Sequence, residues 1–243
     1  MPPYEASKMP LKFFLKFFQN HGLFKLKNRP QWYTVAKRSR TYVAKVLSSI
    51  SGEYYKNYNV NRLIRRSNGI DLYYGDKSEF FSYDKVVLAS HADQALSIID
   101  EPTKEEQEIL STFKYRENIA VIHTDESIMP NNKDIWSSWN SSVDKNNVEK
   151  NSITYWLNLL QNLDFDKNIF LTLNPNFKIN EDKILKKVNF THPYFDQSAL
   201  DNQNKLKNLQ NKKNLLFCGS YFGYGFHEDG IKSSIEMIKA IDD

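Results

Sequence analysis

A single cysteine, Cys218, stands in 243 residues, which excludes an internal disulfide and any metal site built on cysteine clusters. The five histidines do not fall at metal-ligand spacing, so no bound metal is expected. No Gly-x-Gly-x-x-Gly occurs, and with it goes the usual dinucleotide fingerprint. Gly-x-Ser-x-Gly is missing too, which argues against a serine nucleophile elbow. No apolar stretch approaches the roughly 18 residues of a membrane-spanning helix. Residues 11–18 do not read as a signal peptide, because Lys12 and Lys16 interrupt them. These absences fit a cytoplasmic protein, membrane-peripheral at most. An excess of charge of one sign is also lacking: 33 basic against 29 acidic residues leave a net +4. That bias does not indicate nucleic acid, but it permits an acidic ligand or a membrane surface.

What is present is aromatic. Phe (16) and Tyr (14) lift the aromatic share to 14%, enough to line pockets as well as fill a core. Residues 11–18 place Leu11, Phe14, Leu15 and Phe18 at helical spacing, with Phe13 and Phe17 widening the stripe. Gly22 is the expected stop. Such a helix packs in a core, lines an apolar channel or contacts a membrane, and the pattern leaves all three open. A second helix is expected after Lys37, Arg38 and Arg40, which suit either a bound phosphate or an exposed basic loop.

Strand patterns follow. Residues 59–66 and 70–74 flank Ser67-Asn68-Gly69, a turn signal. Residues 81–89 read as one further strand, its Val86-Val87-Leu88-Ala89 run expected to be buried on both faces. Helices are expected at 91–99 and after Thr103, which has capping-box spacing to Glu106. Strands are expected at 118–123, 152–157, 169–173 and 184–190, loop at 129–150 and helix at 196–209. There is neither an internal repeat nor a Gly/Pro-rich linker. The fold class is mixed α/β.

The densest signal is C-terminal. The apolar run Leu215-Leu216-Phe217 leads through Cys218-Gly219 into a loop with Gly223, Gly225 and Gly230, then into a helix. Ile231, Ile235, Ile238 and Ile241 share one face of it. Glycines in such a loop let backbone approach a ligand, and a helix start offers unpaired N–H groups. His227, Glu228 and Asp229 are the densest polar cluster. His227 is the candidate for proton transfer, while Glu228 and Asp229 cap the helix or meet a cofactor. Trp136, Trp139, Tyr155 and Trp156 wall a substrate pocket or fill a core. His123 and Asp125 form a second candidate pair.

Phe217-Cys218-Gly219 with Glu228-Asp229-Gly230 resembles the terminal FAD motif of the flavin amine-oxidase superfamily. Asn20-His21-Gly22-Leu23, Trp136-Ser137-Ser138-Trp139-Asn140, Thr154-Tyr155-Trp156 and residues 223–230 are similar to a bacterial branch of predicted NAD/FAD-binding oxidoreductases in that superfamily. A similar domain is joined to plant cyclopropane fatty acid synthases. The resemblance implies FAD as cofactor and an organic, lipid-like substrate that gives up a hydride. It also implies that Val60, Ala89, Ser90, Gly219, Glu228, Asp229, Gly230 and Ile231 contact FAD. Trp139, Tyr155, Trp156 and Phe226 are the candidate substrate-pocket residues.

By the same resemblance this is the C-terminal part of such a protein. The N-terminal Rossmann unit lies before Met1 or on a split partner chain, so this chain alone binds FAD weakly and is inactive. The regions implied are 1–50 (helical, substrate side), 51–100 (FAD-associated strands and helix), 101–210 (substrate-binding) and 211–243 (FAD-contacting). Where many amine oxidases carry a lysine that holds a water near the flavin, Ala120 stands. The alternative is a non-catalytic remnant acting as a binding or interaction module.

Overall fold

The computed structural model describes residues 9–31, 33–75, 79–144 and 147–241. In chain order the elements are α1 (Leu11–Asn20), α2 (Ser39–Ser48), β1 (Val60–Arg66), β2 (Gly69–Tyr74), β3 (Phe80–Tyr83), β4 (Val86–Leu88), α3 (Ala92–Ile98) and α4 (Lys104–Leu110). Then come β5 (Lys114–His123), β6 (Trp139–Asp144), β7 (Asn147–Trp156), α5 (Leu157–Leu160), β8 (Phe170–Leu173), β9 (Ile184–Tyr194), α6 (Gln197–Gln203), β10 (Leu215–Phe217) and α7 (His227–Lys239). The chain divides into two compact units. One holds Tyr115–His192; the other holds Pro10–Lys114 and Pro193–Asp243.

The discontinuous unit carries two sheets. Strands β1, β2 and β3 form an antiparallel sheet, with Arg66 opposite Gly69 closing the tight turn. Strands β4 and β10 form a parallel pair, Val86 to Leu215 through Leu88 to Phe217. The expected single strand at 81–89 is therefore two strands in different sheets. Asp84-Lys85 breaks the apolar run, and the chain leaves one sheet for the other there. Strand β4 is not buried on both faces either: Val86 and Leu88 are buried, while Val87 is exposed. The helix after Thr103 has the full capping box, with Thr103 Oγ1 accepting from Glu106 N–H and Glu106 Oε2 from Thr103 N–H. Residues 196–209 give only the short α6 and a 3₁₀ turn at Leu206–Leu209 instead of one helix.

The continuous unit is a five-stranded sheet in the order β6-β7-β8-β5-β9. Residues 129–150, expected as loop, contain β6 and the start of β7. The two pair antiparallel from Trp139–Tyr155 onward. Polar composition hides the hairpin, because β6 alternates exposed and half-buried residues and needs no apolar run. Phe170 is fully buried under Trp136 and Met129.

Beside that core lies a buried polar chain. Asp125 N–H donates to His123 Nδ1 (3.2 Å), so the ring proton sits on Nε2 and goes to Thr172 Oγ1 (2.8 Å). Thr172 Oγ1 also shares a hydrogen bond with Thr154 Oγ1 (2.9 Å). Burial pushes His123 below the usual imidazole range, against an upward pull from Asp125. Burial alone would raise Asp125. The amide of Asn180, the hydroxyl and amide of Ser127 and the Lys183 ammonium outweigh it and hold the carboxylate well below its ordinary range.

Both shifts act in one direction. A depressed folded-state pKa gives stability that is present above the unfolded value and lost as pH falls. The chain should lose stability in two acid stages, below about pH 6.5 for His123 and again below about pH 4 for Asp125. Urea denaturation midpoints measured from pH 8 to 3 check this, with Asp125→Asn shrinking the second stage. A flat profile would contradict it.

Candidate functional site

The site grows from the C-terminal ends of the parallel pair, where open α/β sheets bind ligands. Strand β10 is fully buried, and its last turn is tied down on both sides. Cys218 N–H donates to Leu88 O (3.1 Å), and the Gln210 amide bonds both Phe217 N–H (3.0 Å) and Phe217 C=O (2.8 Å), as a neighbouring strand would. Gly219 then turns the chain at φ +156°, with Tyr221's ring where a Cβ would go, 2.7 Å away. Ser90's carbonyl is 3.5 Å from the same point, so the two strand ends lie side by side. Ser233 Oγ accepts from Gly219 N–H (2.9 Å) and donates to Gly230 C=O (2.7 Å), pinning α7 to the end of β10.

The glycine loop is shaped by Asp229. Its Oδ2 accepts from Tyr224 N–H and Phe226 N–H, both at 3.0 Å, and a Cβ at Gly223 would fall 2.3 Å from Oδ1. Gln203 Nε2 donates to Tyr221 C=O (3.1 Å) and Gly223 C=O (2.6 Å). Gln203, Gln210 and Ser233 were not singled out by sequence. Each is a polar residue in a polar run, with nothing local to mark a partner many positions away.

Three of the expected cofactor residues meet in one cavity of about 560 Å³. Val60, Ala89 and Ser90 line it with Leu72, residues 86–88, Asn59, Asn61, Gln94, Ser97 and Ile98. No charged side chain is in that lining. Gly219 adjoins it through Ser90, and a Cβ at Gly230 would have no neighbour closer than Ser220 N at 3.8 Å. Glu228 is exposed and pairs with Lys232 (3.4 Å). Ile231 is exposed together with Ile235 and Ile238. The face of α7 that packs on β10 holds Ser233 and Met237, with Ile241 beyond the helix packing beside them, not the isoleucine stripe as a whole. His227 is exposed, its Nδ1 3.0 Å from Tyr42 Oη.

A second cavity of about 590 Å³ is lined by Arg62, Arg65, Arg66 and Lys213, along with Asp100 and Glu101. Its arginines are matched: Arg62 by Asp100 (2.8 Å), Arg65 by Glu106 and Arg66 by Asp71 (2.7 Å). It therefore offers little uncompensated charge to an anion.

The expected pocket aromatics divide. Trp156 meets Trp136 edge to face at 5.4 Å and donates Nε1–H to Asn168 Oδ1 (2.9 Å), so both rings serve the core of the continuous unit. Trp139 and Tyr155 form an edge pair at 5.8 Å with Trp139 exposed, and burial raises the Tyr155 phenol. In the other unit Phe226 stacks on Phe17 at 5.8 Å and lies near His21. Ala120 is buried and opposite Leu173. Among the described residues no His, Cys, Asp and Glu cluster could hold a metal.

The fold is that of the FAD-linked amine oxidases, as solved structures similar to the chain have it. The chain is similar to a CLA-producing fatty acid isomerase from P. acnes, at TM-score 0.59 and 14% identity, covering 85% of this chain and 52% of that one. It is also similar to an Exiguobacterium sp. 255-15 protein named as a protoporphyrinogen oxidase, at TM-score 0.63 and 10% identity, covering 95% and 58%. Wild-type putrescine oxidase bound to putrescine matches at TM-score 0.55 and 10% identity, covering 85% and 52%. The chain thus spans about half the length of these structures. No family model and no curated protein sequence matches it.

Proposed function

We propose that this chain is the C-terminal part of an FAD-dependent oxidoreductase of the amine-oxidase type, acting on an organic, lipid-like substrate. The observation that carries the reading is the neutral cavity lined by β4, the start of β1 and α3. Its amides and hydroxyls (Asn59, Asn61, Ser90, Gln94, Ser97) beside apolar Val60, Leu72 and Ile98 suit a flat, uncharged base such as adenine. FAD, when bound, supplies the hydride acceptor. Val60, Ala89 and Ser90 would hold its adenine end. Gly230 would admit it close to backbone, on a loop that Asp229 keeps in shape. Tyr42 fixes Nδ1 of His227 and so leaves Nε2 as the nitrogen that would exchange a proton. A fatty acid isomerase among the similar structures supports the lipid-like substrate.

The cavity has no basic residue and the sequence no phosphate-binding glycine fingerprint, so the grip on the pyrophosphate would come from a further polypeptide segment. We expect the purified chain to bind FAD with a micromolar or weaker dissociation constant, and Ala89→Trp, which fills the cavity, to remove even that. Flavin fluorescence titration checks both. Nanomolar binding would show that the chain needs no further segment. Binding indifferent to Ala89→Trp would sink the cavity assignment. A chain that never binds flavin, alone or with such a segment supplied, would be the non-catalytic binding module, a reading that buried Ala120 in place of a lysine also favours.

A further inference from the structure

Between Glu5 and Glu53 the chain has ten Lys and Arg residues and not one Asp or Glu. With a net charge of +4 overall, everything outside that stretch sums to −6. The cationic character of the protein is therefore confined to one segment. The same segment keeps its apolar side chains outside. Helix α1 buries only Phe13, against Phe195 (5.1 Å) and Tyr224 (5.0 Å). The described part of α2 buries nothing. Phe14, Phe18 and Phe24 form a continuous row of rings, at 4.2 and 5.4 Å between centroids, with Phe14 and Phe24 exposed. Directly after the row stands Leu26, 91% exposed, between exposed Lys25 and Lys27. Lys12 and Lys16 are exposed on the same helix, on the far side of Leu11 and Leu15 from the row.

An aromatic row on a helix whose lysines lack acidic partners, next to a leucine held out between two more, is the pattern of a surface that enters the headgroup region of an anionic bilayer. The rings and Leu26 reach the acyl boundary while the ammonium groups stay with the phosphates. We propose that α1 and the loop through Leu26 and Lys27 dock this protein on membranes containing anionic lipid. A nucleic acid would use the charge but has no need of a bare leucine beside phenylalanine. A soluble protein partner would not require ten cations without one anion. No described helix is long and apolar enough to cross a membrane, so the association is with the surface. The inference does not depend on flavin binding.

The test is vesicle flotation of the purified chain, in which aggregates sink and bound protein floats. Vesicles of phosphatidylcholine alone are compared with vesicles that also contain phosphatidylglycerol. Wild type should float with the anionic vesicles at least tenfold more than with the neutral ones, and less as salt is raised. Removing each lysine should weaken binding roughly fivefold, so Lys25→Glu with Lys27→Glu should abolish flotation. Leu26→Asp should abolish it too, at a position too exposed to affect folding. Lys104→Glu with Lys207→Glu, outside the segment, should leave it unchanged. Equal flotation on both vesicle types, none on either, or flotation that survives Leu26→Asp would overturn the proposal, as would a single-stranded oligonucleotide bound through the same lysines with no vesicle binding.

Discussion

Gly219→Val should destabilise the chain by about 4 kcal/mol, combining a disfavoured backbone angle with a forced overlap. At φ +156° a β-branched residue is strained from the start. Its Cβ would stand 2.7 Å from the ring of Tyr221, which is 2% exposed and wedged against Phe113 at 5.3 Å, so the ring has nowhere to go. Gly230→Val is the matched control. Its Cβ meets only Ser220 N at 3.8 Å, so the fold should survive with a small change while a ligand approaching the start of α7 loses room. Chemical denaturation of the two variants side by side decides the matter. Equal losses would mean that both glycines are purely structural and that Gly230 does not serve a ligand.

Phe170→Ala should cost a similar amount, about 4 kcal/mol, but in the continuous unit. The ring is fully buried, 5.7 Å from Trp136 and 5.5 Å from His123. Truncation leaves a void beneath two large rings that cannot close it, and loosens the imidazole whose proton feeds Thr172. Tryptophan fluorescence should report the change through Trp136 as the denaturation midpoint falls. A loss under about 1 kcal/mol would mean that the site collapses without strain, contrary to the packing described.

Some of this was legible in the residues. Thr103 and Glu106 announced their cap, Ser67-Asn68-Gly69 its turn, and residues 215–230 the strand, glycine loop and helix. In each case the determinant is local, a few positions of backbone and side chain. What was hidden depends on distant partners. Val87 looks like core in sequence, yet it is exposed where β4 and its neighbours leave a cavity open. Ile231, Ile235 and Ile238 of α7 are exposed, and Met237 decides which side packs, because Leu216 and Cys218 sit against it. The 139–156 hairpin is polar enough to pass for loop. Asp229 was legible only as cap or cofactor contact, and the Tyr224 and Phe226 amides on one oxygen show that it caps.

The pairing of Val86 with Leu215 brackets all of Tyr115–His192. A chain emerging from the ribosome must therefore finish the inserted unit before its parallel pair can close. The inserted sheet can form from contiguous residues, whereas the parallel pair has to wait for a strand made after that unit. Long-range closure of that kind is slow, since its loop entropy is lost before any contact rewards it. Until then β4 stays an unpaired apolar strand, which makes residues 86–88 the stretch where a chaperone or a stray neighbour competes with correct folding.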